Sequence, residues 1–516
     1  MLQYALQPHD ATASLIVFDH AYARQFPSLV HPQQPQAIAA PQLVLFNHSL
    51  HQQLGLPDWL VANAATYFAG AAPLTALCPV AQKYAGHQFG HYNPYLGDGR
   101  GLLLSEWLLP NPPAPATLWS GRRLDIHLKG AGPTPYSRGG DGRAVLRSCI
   151  REFLGSEALF QLGIPTTRAL ALVAGATPVQ RERVEPAAML TRVAQTHIRF
   201  GQFEHCYHRG LAKELEQLIA FCVAEYFPEC QQASQPYVAW FAEVVRRTAE
   251  LVAGWQAYGF AHGVMNTDNM SIVGETFDFG PFQFMDSYKP GLRSNHSDHS
   301  GRYAFFQQPS VALWNLNCLA MAVSPVIASE RLTQCLQGFS AQLEHSYWSR
   351  MSKRLGVDYE ALTPAQRSAI ETWLSGWLEL LAEHGWDYSL SWYWLAHEVL
   401  PAYRQAGAQP TLTTTQLEAC PHPLTAEART KLQTWWQQIP PSMALDLDLA
   451  GSTNPRYILR NYLAQNAIEA AEQGDLTPLQ TLYAAVQQPY VKRAEFEHLA
   501  QLPPTWAQSL QVSCSS

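Results

Sequence analysis

The sequence predicts an α+β protein with a small, mostly β lobe, a larger helical lobe, an N-terminal wrap and a C-terminal helical extension. Three observations predict it. Short apolar runs bounded by Gly or Pro recur between residues 81 and 194, as GLLLSEW (101–107), LDIHLKG (124–130) and AMLTRVA (188–194), in the manner of strands. One segment with apolar residues at helical spacing interrupts them. After Gly201 the pattern changes to long helices.

The chain has 516 residues, 47% hydrophobic and 15% charged, enough apolar material for a large core. Its 34 Lys and Arg against 41 Asp and Glu give a net charge of −7, the wrong sign for a partner such as nucleic acid or an anionic membrane. Any phosphate site must then be local. Nine cysteines form no CxxC pair and no regular framework, which argues against a zinc ribbon or a disulfide scaffold and for a reducing compartment. The first residues lack a basic segment followed by an apolar run, and no later stretch of about 18 apolar residues occurs. A cytoplasmic location is expected.

Residues 1–75 mix Pro, His and Gln with short apolar pieces such as LVLFN and PDWLV, which suggests a wrap lying on a larger domain. Residues 76–205 hold the strand-like runs. The helix among them spans 144–162, with apolar residues at Val145, Ile150, Phe153, Leu154 and Ala158 and a stop at Gly163-Ile164-Pro165. Residues 206–345 read as helices over about 211–228 and 235–258, then a loop-rich stretch over 260–303. Residues 346–516 form the helical extension, with Pro-rich breaks near 400–424 and 439–442. Its tryptophans Trp373, Trp377, Trp386, Trp392, Trp394, Trp435 and Trp436 read as core packing.

Four constellations carry possible chemistry. Gly97-Asp98-Gly99-Arg100-Gly101 stands directly before a strand, where glycines let backbone N–H groups approach a phosphate and Arg100 supplies charge. An ordinary β-turn has the same composition. Lys129 ends an apolar strand, and a lysine there needs an anionic partner, which Glu152 on the following helix can supply. Between them lies GAGPTPYSRGGDGRA (130–144), which reads equally as a loop at a ligand site or as plain surface. Arg192 and Arg199 lie at the junction of the two lobes, where their fork geometry suits terminal phosphates.

The fourth is His262-Gly263-Val264-Met265-Asn266-Thr267-Asp268-Asn269, followed by Asp278-Phe279-Gly280. Protein kinases carry HRDxxxxN and then DFG, in which the Asn and the second Asp hold Mg²⁺ across the ATP phosphates. His262 and Asn269 keep that spacing, but Val264 stands where kinases carry the catalytic base. A valine accepts no proton, and Asp268 is the nearest carboxylate able to replace it. Strand lysine, helix glutamate, HxxxxxxN and DFG in this order predict a protein-kinase-like two-lobed fold. His87 and His91 at i, i+4, and the run Asn295-His296-Ser297-Asp298-His299, are weaker candidates for a metal site, and HExxH and GxSxG are absent.

These strings resemble a known family. YAGHQFGHYNPYLGDGRG (84–101), HLKGAGPTPYSRGGDGRAVLRSCIREFLGSEA (127–158), HGVMNTDNMSI (262–272), FDFGPF (277–282), NHSDHSGRYAF (295–305) and NPRYILRNYLAQ (454–465) look like the selenoprotein O family, long regarded as pseudokinases. The resemblance implies a kinase-like fold in which ATP binds flipped, so that its α-phosphate meets an acceptor hydroxyl. The implied reaction is transfer of AMP to Ser, Thr or Tyr of proteins, with UMP from UTP as a further activity. Carried over by motif, Gly97, Gly99, Arg100, Lys129, Asp141, Gly142, Arg192, Arg199 and Asp278 would contact ATP. Asn269 and Asp278 would hold Mg²⁺ or Mn²⁺, Asp268 would accept the proton, and Glu152 would pair with Lys129. Cys514, third from the C-terminus, matches a position at which relatives carry selenocysteine or cysteine and some form a disulfide with the activation loop. No cysteine lies between Asp278 and Cys318, which puts that disulfide in doubt. Two other readings of the same residues are γ-phosphate transfer with Asp268 as substitute base and a silent nucleotide-binding scaffold. Retention of both Asn269 and Asp278 speaks against the scaffold.

Overall fold

A computed structural model describes residues 17–71, 77–109, 119, 123–405, 411–440 and 444–512. Cys514 lies outside the described residues.

One sheet organises the first part of the chain. Its strands are β1 (Val17–Asp19), β2 (Val30–Pro32), β3 (Gln42–Phe46), β4 (Val80–Gln88), β5 (His91–Gly97), β6 (Gly101–Leu108), β7 (Arg123–Lys129), β8 (Ala144–Val145), β9 (Arg168–Gln180) and β10 (Val184–Ala194). The order is β2-β4-β6-β7-β10-β9-β3, with β1 on β6, β5 on β4 and β8 on β10, and every pairing in it is antiparallel. The three predicted runs are β6, β7 and the end of β10. Strands from residues 17–46 hydrogen-bond into this sheet, so the N-terminal residues supply part of it as well as lying on it.

Side chains alternate across a strand. In β7, Leu124, Ile126 and Leu128 enter the apolar cluster that also takes Leu50, Leu60 and Phe68 from the N-terminal helices. Asp125, His127 and Lys129 therefore face the other way, and all three are buried. Across from them stands the helix Leu146–Gln161, packed on β9 and β10. It begins two residues later than its periodicity predicts, because Ala144 and Val145 pair with Ala188 and Ala187 as β8.

The remainder is mostly helical. Helices Phe200–His208, Ala212–Tyr226 and Pro236–Ala257 follow the sheet. Strands β11 (Phe260–Ala261) and β12 (Gln283–Phe284) then pair and tie off the loop between them, which carries residues 262–282. Helices Asn461–Glu472 and Thr477–Gln487 pack against Leu146–Gln161, so the C-terminal extension braces the helix that bears Glu152. All seven expected tryptophans are buried, with Trp435 stacked on Trp373 at 4.3 Å and on Trp377 at 4.7 Å. Among the described residues no helix is long and apolar enough to cross a membrane.

Candidate functional site

Two adjoining cavities, of about 420 and 340 Å³, open between the sheet and the 262–282 loops and share Gln88, Arg100, Arg192, Asp268 and Asp278. The larger is lined by ten of the expected residues: Gly97, Gly99, Arg100, Lys129, Asp141, Gly142, Arg192, Arg199, Asp268 and Asp278. Asn269 and Val264 line the smaller one. Glu152 lies beneath, in contact with Lys129.

Register explains the convergence. Lys129 pairs with Gly101 on one side and Leu190 on the other, so the turn joining β5 to β6 and the Arg192 end of β10 both lie beside it. Lys129 Nζ donates to Glu152 Oε2 at 2.8 Å, and Arg192 donates to the same carboxylate through Nη2 at 3.0 Å and through Nε. Arg192 Nη2 also lies 3.4 Å from Asp278 Oδ1, whose other oxygen receives Arg199 Nη1 at 2.5 Å. The result is a continuous line of charges in which three cations face two carboxylates. Burial alone would raise the Glu152 carboxyl, but Arg192 and then Lys129 outweigh it and bring it down to about 2. At Asp278 Arg199 and Arg192 likewise overcome burial and hold the carboxyl well below its usual range. At Lys129 burial prevails and lowers the pKa despite Glu152.

Asp278 has φ of 59°, a left-handed conformation uncommon for a residue with a side chain and of the kind that clusters at functional sites. His262 holds the two loops together: its Nε2 lies 3.1 Å from the Phe277 carbonyl, while its N–H donates to Gln308 Oε1 at 2.8 Å. Arg199 stacks between Tyr84 and Phe277, with its guanidinium carbon 4.5 and 4.6 Å from the ring centres, and donates to the Asp268 carbonyl at 2.9 Å. Asp268 is 7% exposed, and burial pushes its carboxyl up to about 7 against the opposing charge of Arg199.

The 130–144 loop forms a wall of the larger cavity. Its Thr134 Oγ1 donates to the Asp98 carbonyl at 2.6 Å, and Ser137 Oγ donates to the Gly99 carbonyl, which fastens the loop over the β5–β6 turn. Gly142 has φ of 64°, and a Cβ there would fall 2.1 Å from the Gly132 carbonyl carbon. Asp141 meets Arg181 in a bidentate pair at 2.7 and 2.9 Å. Arg181, in the β9–β10 turn, gave no signal in the sequence.

Gln88 is the other residue the sequence reading passed over. Its Nε2 donates to Asp268 Oδ2 at 3.1 Å, and its only sequence signal was a place inside a family-like string. His87 contacts Glu204 at 2.5 Å. In the 295–299 run, Asn295 Nδ2 donates to the Gly263 carbonyl at 3.1 Å and Asp298 accepts from the N–H groups of Arg302 and Tyr303, so the run supports the Asp268 loop.

The arrangement offers positive charge for an anionic ligand, oxygen donors suited to a divalent cation, and one separately held carboxylate. A family model and named relatives match the chain. The family model described as protein adenylyltransferase SelO matches residues 16–487. The chain is 43% identical to protein nucleotidyltransferase YdiU of Vibrio parahaemolyticus, with 97% of this chain and 99% of the relative covered. It is 45% identical to the protein of the same name from Vibrio cholerae, with 96% and 97% covered, and 44% identical to that of Yersinia pseudotuberculosis, with 97% and 99% covered.

Proposed function

Because the chain belongs to the protein adenylyltransferase SelO family, we propose that it transfers AMP from ATP to hydroxyl groups of proteins and releases pyrophosphate. The observation that carries this reading is the line of charges Lys129–Glu152–Arg192–Asp278–Arg199 along a cleft that also holds the buried carboxylate of Asp268. Protein nucleotidyl transfer is the activity named for the relatives, which match the chain over nearly its full length.

We read residues 76–205 and 206–345 as the two lobes of a kinase-like fold, flanked by extensions at 1–75 and 346–516. In this reading Lys129, Arg100, Arg192 and Arg199 hold the phosphates, with Gly97, Gly99, Asp141 and Gly142 shaping the wall against them. Asp268 takes the proton of the acceptor hydroxyl. The hydroxyl oxygen forms a bond to the α-phosphorus as the bond between that phosphorus and the bridging oxygen to the β-phosphate breaks, and the electron pair leaves with pyrophosphate. The cations beside the leaving group stabilise the charge that develops on it.

Asn269 and Asp278 fit a hard divalent cation. Asn269 Nδ2 donates to the Val264 carbonyl at 3.0 Å, and among the described residues nothing donates to its Oδ1. An amide oxygen and a carboxylate beside a phosphate site are donors of the kind that Mg²⁺ or Mn²⁺ takes. When bound, such an ion neutralises phosphate charge. The protein's own part is to keep both donors in place, through the Val264 carbonyl and the two arginines.

Parallel incubations with α-labelled and γ-labelled ATP test the assignment. Label retained on protein from the α-position alone supports AMP transfer. Label retained from the γ-position alone would establish phosphotransfer instead, and retention from neither would favour a silent scaffold.

A further inference from the structure

We propose that Gln88 is a positioning residue for the transfer reaction, fixing the Asp268 carboxylate against the tip of the β4–β5 hairpin. The proposal rests on the role given to Asp268 above. A carboxylate only 7% exposed needs hydrogen-bond donors. Arg199 donates to the backbone carbonyl of Asp268 and pairs with the carboxylate of Asp278 instead. Among the described residues Gln88 Nε2 is the one side-chain donor to Asp268, at Oδ2 and 3.1 Å, and Oδ1 receives none. One oxygen is thus held by Gln88, and the other is buried against Gly86 with no hydrogen bond.

The hairpin is built to deliver this contact. His87 N–H donates to Thr267 Oγ1 at 2.6 Å, and Phe89 N–H donates to Tyr303 Oη at 2.9 Å and to Asn266 Oδ1 at 3.3 Å. Three successive residues of the hairpin therefore grip three successive residues of the loop, Asn266, Thr267 and Asp268. Gly86 makes the approach possible, since a Cβ there would lie 2.8 Å from Asp268 Oδ1 and 2.9 Å from Asp268 Cβ. Asn93 Nδ2, 3.5 Å from Gln88 Oε1, sits on the opposite side of the amide and favours the orientation that points Nε2 at Asp268. The partners of the two cleft aspartates differ in kind. Asp278 is held by two cations, whereas Asp268 is held by a neutral amide that fixes the carboxylate without cancelling its charge.

The test uses the full chain with Gln88→Met, which keeps length but loses the donor, Gln88→Ala, and Asp268→Ala as reference. Transfer of α-labelled AMP is followed onto the enzyme itself and onto casein as a generic hydroxyl-bearing acceptor, and ATP affinity is measured by calorimetry with Mg²⁺. Both Gln88 variants are expected to lower kcat about 10²-fold, the effect of a reacting group misplaced by roughly 1 Å, while the Kd for ATP and the unfolding midpoint stay within about twofold and a few degrees of wild type. An unimpaired Gln88→Met beside an inactive Asp268→Ala would overturn this inference alone. So would loss of ATP affinity or of fold in both Gln88 variants in step with activity, which marks a merely structural residue. Full transfer by Asp268→Ala would overturn it together with the role of Asp268.

Discussion

Replacing Glu152 by Gln probes the charge line at its centre. The side chain keeps its shape and loses its charge, leaving Lys129 and Arg192 buried beside each other. The Glu152 carboxyl sits at about 2 in the fold against an ordinary 4.5, because Arg192 and Lys129 outweigh its burial. At about 1.4 kcal/mol per pKa unit, its ionised form is favoured by about 3 kcal/mol over the unfolded chain. Removing one partner of a buried ion pair costs about 3–5 kcal/mol, so Glu152→Gln is expected to lower the unfolding free energy by that amount. Lys129→Met behaves differently. Burial has already lowered the Lys129 pKa beyond what Glu152 restores, and Glu152 keeps Arg192 as partner, so stability should change little while activity falls by about 10²- to 10³-fold. Urea unfolding at neutral pH, followed by tryptophan fluorescence, compares the two. A folded-state pKa below the unfolded one gives stability that is complete above about pH 4.5 and lost as pH falls toward 2. The gap between wild type and Glu152→Gln should therefore close on acidification. A Glu152→Gln protein within about 0.5 kcal/mol of wild type at pH 7, the range of a surface substitution, would refute the argument.

Three further outcomes are expected. Asp278→Ala should abolish metal-dependent ATP binding in calorimetry, since phosphate charges would face one another without the bridging cation; undiminished binding with Mg²⁺ would remove Asp278 from the metal site. Val264→Asp should yield no γ-label on protein if ATP is flipped, and phosphorylation by that variant would show an ordinary kinase orientation. Gly142→Ala should weaken ATP binding about tenfold or more, because its Cβ would meet the Gly132 backbone and push the 130–144 loop off the cavity; unchanged affinity would show that the loop does not touch the nucleotide.

Legibility in the sequence followed chemical isolation. Lys129 stood out because a lysine ending an apolar strand has few physical explanations, and Glu152 was the carboxylate that a helix could bring to it. Strands β6 and β7 were readable from apolar residues between glycines. The β4–β5 hairpin was not read as strands, since YAGHQFGHYNPY is mostly polar and half-buried and lacks clean alternation. Helix Phe200–His208 was missed for a related reason: it buries Gln202, Glu204 and His205 beside its aromatics, so no apolar stripe marks it. Arg181 and Gln88 act through residues 40 and 180 positions away, and only the folded sheet brings them there.

The N-terminal strands have a practical consequence for anyone trimming the chain to its motifs. A fragment beginning at residue 77 would keep every residue of the cleft. It would also uncover residues 171–174 of β9, which β3 now pairs, and the end of β4 that β2 covers. Bare strand edges recruit other chains. The same cut would remove Gln36, which donates its N–H to the Ala131 carbonyl at 2.8 Å and accepts Arg143 Nη1 at 2.6 Å. A fragment cut to the motifs is thus expected to aggregate, and its 130–144 loop to lose its outer tether, although nothing in the cleft had been altered.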